Sequence, residues 1–161
     1  MIKLFSRFLD AFSVLRSLFF TQEINFENID IKGSKQFREK VLSALVLLKE
    51  RDVQAFQVTQ NNLNWIIEGR KTLLSLTRWG GTLSLSEEDL SGSQIWLASL
   101  LAGESFRAQL YKDHSVKGSP VPKEVYSWER VLELQYESLK NLGANFEELK
   151  HLADFIEIQG V

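Results

Sequence analysis

Leu63-Asn64-Trp65-Ile66-Ile67 is followed by Thr72-Leu73-Leu74-Ser75-Leu76-Thr77-Arg78-Trp79 and, after Gly80-Gly81, by Thr82-Leu83-Ser84-Leu85. Each run is rich in β-branched, aromatic and apolar residues, which fit a pleated and half-buried surface. Two adjacent glycines reach positive φ without a Cβ penalty, so Gly80-Gly81 predicts a two-residue hairpin between the second and third runs. The middle of the chain therefore reads as a small antiparallel sheet with a central hairpin.

Helices are expected on both sides of it. After the polar stretch Thr21 to Asn28, Ile29-Asp30-Ile31 alternates like a short strand and stops at Gly33. Ser34 can cap a helix in which Phe37, Val41, Leu45 and Leu48 recur at helical spacing, and Asp52 can cap a second through about Gln60. Ser93 to about Asp113 predicts a long helix with Ile95, Trp96, Ser99, Leu100, Gly103, Phe106, Arg107 and Leu110 on a broad face. Pro122 suits the first turn of the next helix, which Val125, Glu129, Leu132, Tyr136 and Leu139 carry to Gly143, a natural C′ residue. Asn145 and Glu148 form a capping box for a last helix through Leu149, Leu152 and Ile156. With no internal repeat or linker, residues 21–161 read as a single α+β domain.

Residues 1–20 differ from the rest. They hold Phe5, Phe8, Phe12, Phe19 and Phe20 of the 11 Phe in the chain. At roughly 100° per residue, Leu4, Phe8, Ala11, Phe12, Leu15, Leu18 and Phe19 fall on one half of a helix. Arg7, Asp10 and Arg16 interrupt the apolar run, which argues against a secretory signal or a membrane span and for an amphipathic helix. Such a face can pack on its own domain, on a partner or second copy, or on a membrane surface, with Leu4, Phe8, Phe12, Leu15 and Phe19 as its contact residues.

The chain has 161 residues, with a net charge of -2, Cys 0 and His 2. A chain this long can bury roughly 70% of the surface that its unfolded form exposes, so no disulfide staple is needed. The charge offers no basic field for phosphates, which argues against nucleic acid as a partner. Thiolate chemistry is excluded, and two isolated His leave little imidazole for metal or acid–base work. His114 and His151 read as surface or capping residues, and Trp65, Trp79, Trp96 and Trp128 as core and sheet packing.

The long helix carries Trp96-Leu97-Ala98-Ser99, then Gly103-Glu104-Ser105-Phe106-Arg107, then Tyr111. This pattern resembles the motif helix of small bacterial zinc-metallopeptidase-like domains of the zincin type. There a Trp-x-Ala-Ser run leads into His-Glu/Asp-x-x-His and a Tyr follows. The resemblance extends loosely from Ile29 to Gly143 and implies a zincin-like arrangement. In that motif two imidazoles one turn apart hold a zinc ion, and the acid between them polarises water. Here Gly103 and Arg107 stand at both His positions, and Glu104 alone remains. The resemblance implies a third acidic ligand on the following helix, at Glu129 or, as the second choice, Glu133. Gly has no ligand atom and Arg stays protonated.

The expectation is thus a non-enzymatic, metallopeptidase-like pseudoenzyme without metal or other cofactor. Its degenerate cleft, marked by Gly103, Glu104, Arg107 and Glu129, would serve protein binding in an adaptor role. Arg107 either pairs internally with Glu104 or Glu129, or faces solvent. Gly103 in mid-helix suggests close packing by another element. Replacing Gly103 and Arg107 by His would, on helix geometry alone, recreate a nascent metal pair. Two alternatives stay open: an atypical, metal-free hydrolase using Glu104, and a peripheral membrane-surface adaptor using residues 1–20. The expected location is the cytoplasm, with attachment to a membrane periphery in the second case.

Overall fold

A computed structural model describes residues 23–77, 80–115 and 128–158. The amphipathic segment 1–20 lies outside the described residues. The chain runs β1 (Glu23–Phe26), β2 (Ile29–Lys32), α1 (Lys35–Arg51), α2 (Val53–Asn62), β3 (Leu63–Glu68), β4 (Leu73–Thr77), β5 (Gly80–Leu85), α3 (Glu87–Ser91), α4 (Gln94–Ser115), α5 (Trp128–Leu142) and α6 (Phe146–Ile158). It is an α+β fold with a five-stranded sheet of order β1-β2-β3-β5-β4.

The sheet is mixed, which corrects the antiparallel expectation. β1/β2 and β4/β5 are antiparallel pairs, whereas β3 runs parallel to both β2 and β5. Parallel neighbours need a long crossover, and α1 with α2 supplies it between β2 and β3. β3 fills the centre, and Ile66 and Ile67 are both fully buried although they point to opposite faces.

The hairpin exists, but its glycines are not the turn. Leu76 pairs with Gly81 and Thr77 with Gly80, so both glycines belong to β5, and positions 78–79, outside the described residues, connect the strands. The glycines answer a different demand. The register of β3 against β5 shifts between Leu63 and Trp65, a bulge at Asn64. A Cβ at Gly80, whose φ is +132°, would stand 1.8 Å from Asn64 Oδ1, and one at Gly81 would stand 2.8 Å from the Asn62 carbonyl oxygen. Only a residue without a side chain lets the bulge come that close.

Part of the polar stretch before Ile29 is also a strand. β1 joins β2 through Glu27 (φ 51°) and Asn28 (φ 70°), both left-handed as a primed hairpin turn requires. Lys49 Nζ reaches Glu27 Oε1 at 2.5 Å and Gln60 Nε2 donates to the Glu27 carbonyl at 3.1 Å, so α1 and α2 hold the turn in place.

Caps set the helix starts. Ser34 Oγ accepts from Phe37 N, Asp52 Oδ1 from Ala55 N, and Asn145 Oδ1 from Glu148 N while Glu148 Oε2 accepts from Asn145 N. Ser86 and Asp89 form a further capping box for the short α3. Gly143 ends α5 at φ +81°.

α4 is the central helix, packing against α1 and α2 on one side and α5 on another. Its core residues are Leu97, Ala98, Leu101, Ala102 and Ala108. The face that the periodicity predicts contributes too, with Ser99 and Gly103 buried and Ile95, Leu100 and Phe106 packed against this core, because a helix packed from two sides is buried over most of its circumference. A second, smaller cluster joins Leu132 and Leu139 of α5 to Leu152 of α6.

Candidate functional site

The middle turn of α4 carries the motif residues. Gly103 lies under α5, where a Cβ would come within 3.3 Å of the Gln135 Cβ and 3.6 Å of Val131 Cγ1. A hydrogen there lets the two helix backbones approach closely. Gln135 is buried, and its Nε2 donates to Ser99 Oγ at 3.4 Å, a long bond across the helix pair.

The next residue of α4, Glu104, is only 3% exposed. Arg107 lies three residues on, with Nη2 at 2.7 Å from Glu104 Oε2 and a side chain 24% exposed. Arg107 is therefore an internal partner of Glu104. Oε2 is buried and, this ion pair apart, meets no hydrogen-bond donor among the described residues. The pair is one of charge, and the oxygen retains acceptor capacity. Burial pushes the Glu104 carboxyl above the usual carboxylate range; Arg107 offsets part of this and the negative charge of Asp89 adds to it.

Glu104 and Gln135 line a cavity of about 730 Å³ between α3, α4, α5 and α6. Trp96, Leu100, Leu132 and Leu152 give it apolar walls. His151 completes one wall, edge-on to Trp96 at 5.4 Å between ring centroids. Glu88, Asp89, Glu147 and Glu148 add carboxylates, and among the described residues no Lys or Arg lines the space. Asp89 is engaged by Ser86 and Thr72, and Glu148 by Ser93 and Asn145.

The donor set does not fit a zinc ion. Gly103 faces Gln135, Arg107 places a guanidinium against the one remaining acid, and among the described residues no three His, Cys, Asp or Glu side chains come together as ligands. Glu129 falls within α5, but its side chain lies outside the described residues. Nor are the nearby hydroxyls arranged as nucleophiles: Ser99 Oγ donates to the Trp96 carbonyl and Ser105 Oγ to that of Leu101.

Sequence reasoning placed Gly103, Glu104 and Arg107 together correctly but missed the cavity. Trp96 packs on the smaller core cluster and also lines the cavity, His151 is a surface residue that completes its wall, and nothing in the sequence marks Gln135. Trp65 is likewise exposed at the sheet surface, with Nε1 donating to Asp30 Oδ2 at 2.9 Å. Among the described residues no helix is long and apolar enough to cross a membrane. No family model, curated protein or solved structure matches this chain.

Proposed function

We propose that the chain is a non-catalytic binding module on a zincin-like frame, with the cavity beside Glu104 as its receptor for another protein. The observation that favours this is the Glu104–Arg107 pair at 2.7 Å, which sets a fixed guanidinium where the resembling motif needs a second imidazole. What surrounds the pair is a recess with apolar walls and a few polar groups, the usual make-up of a binding pocket. In this reading the protein acts in the cytoplasm as an adaptor, and the fold serves recognition rather than hydrolysis.

Calorimetric titration of the full chain with Zn²⁺, together with a peptide-hydrolysis assay, tests this. The expected result is neither stoichiometric zinc binding at α4 nor cleavage. Tight zinc binding that disappears in Glu104→Gln and survives His114→Ala and His151→Ala would overturn it.

A further inference from the structure

We propose that the cavity beside Glu104 receives an alkylammonium group, a primary amine on an unbranched apolar stem. The inference rests on the reading of the cavity as a receptor and names what it takes.

Charge and shape point to the same ligand. The lining carries five carboxylates, those of Glu88, Asp89, Glu104, Glu147 and Glu148, facing one imidazole and no Lys or Arg among the described residues. Arg107 meets Glu104 but does not line the space. Glu88 and Glu147 are exposed, so they place negative charge where a ligand arrives. Asp89 and Glu148 are held by caps and hydroxyls, leaving Glu104 as the buried carboxylate with an oxygen that accepts no hydrogen bond. Gln135, beside it, donates through Nε2 to Ser99 and has its carbonyl oxygen as a further acceptor. An ammonium has three N–H donors and no acceptor, which suits the two acceptors at Glu104 and Gln135.

The walls decide against a bare cation. Trp96, Leu100, Leu132 and Leu152 offer nothing to a hydrated metal ion, whereas a methylene stem gains from burying its surface against them. The stem lies along the apolar wall and the charged head reaches Glu104 and Gln135.

The ammonium can come from a free alkylamine or from a Lys side chain of a partner protein. Titration of the ¹⁵N-labelled full chain with n-pentylamine at neutral pH, with 1-pentanol as neutral isostere and with a lysine-containing peptide, reads both. We expect saturable shifts of the Trp96 indole N–H and the Gln135 side-chain amide with pentylammonium. Pentanol should bind at least about tenfold more weakly, as the loss of a charge-assisted contact requires. Glu104→Gln should weaken the amine to a similar degree. So should His151→Lys, an exposed change that sets a tethered ammonium on the wall and leaves the fold intact. If the peptide binds more tightly than pentylamine, the source is a protein; if less tightly, it is a free amine. Equal binding of pentanol, or pentylammonium binding unchanged in both variants, would overturn the ammonium class while leaving a receptor cavity. Absence of saturable shifts with any probe would overturn it too, whereas zinc bound at Glu104 would instead overturn the reading beneath it.

Discussion

Glu104 is buried with a cation beside it, and burial still raises its carboxyl above the usual range. The native state thus holds the proton more tightly than the unfolded chain does. Between the unfolded value near 4.5 and the raised folded one, the native state binds more protons, so stability falls as pH rises through that window. Gln mimics the protonated acid in size. Glu104→Gln should therefore raise the melting temperature at pH 7 to 8, and the gain should vanish by about pH 4, where the wild-type acid is neutral in both states. A constant difference at all pH values would show that Arg107 fully compensates the burial. Arg107→Met acts in the opposite sense. It leaves a buried carboxylate without its cation and should cost about 3 kcal/mol at neutral pH, the low end for a broken buried pair because Arg107 is partly exposed. Urea denaturation of both variants at pH 4 and 7 checks the two signs together.

Two helices meeting across one glycine set the limits of the site at the level of elements. On helix geometry alone, His at 103 and 107 make a chelating pair, but α5 occupies the space that the first imidazole needs. Gly103→His drives a side chain into Gln135 and Val131 and should destabilise the fold by about 2 kcal/mol, as overpacking in a close-packed interior does. A falling urea midpoint would show this, and an unchanged one would mean that α5 yields. The same case marks what a sequence conveys. Caps at Ser34, Asp52 and Asn145 were legible because they act within three residues, and so was the Glu104–Arg107 spacing. The parallel pairing of β3 was not, since it depends on a crossover through α1 and α2 that local alternation does not encode. Gly80-Gly81 misled for a related reason: a glycine needed under the Asn64 bulge has the same local signature as one needed in a turn. The cavity was hidden most deeply, because Trp96 and Leu100 look like core until α3 and α6 leave a space over them.

In the whole molecule, the principal core draws its buried residues from Ile29 to Leu142, and α5 with α6 adds the smaller cluster of Leu132, Leu139 and Leu152. The cavity beside Glu104 sits where these two clusters adjoin, with Leu100 and Glu104 of α4 on one side and Leu132 and Leu152 on the other. Among the described residues the sheet and the helices on it share this continuous core. The composition break near Thr21 is the sequence feature that motivates a test of the Phe-rich segment in association. Deleting residues 1–20 should leave a single cooperative melting transition by circular dichroism, with the urea midpoint close to that of the full chain. Light scattering or liposome sedimentation should change instead, because the truncated chain lacks the face carrying Leu4, Phe8, Phe12, Leu15 and Phe19. The zinc and alkylammonium titrations should be the same with and without the segment, since the described residues that line the cavity run from Thr72 to Leu152. Loss of cooperative melting on truncation would mean that the apolar face covers the domain itself, and that fold and association share one surface.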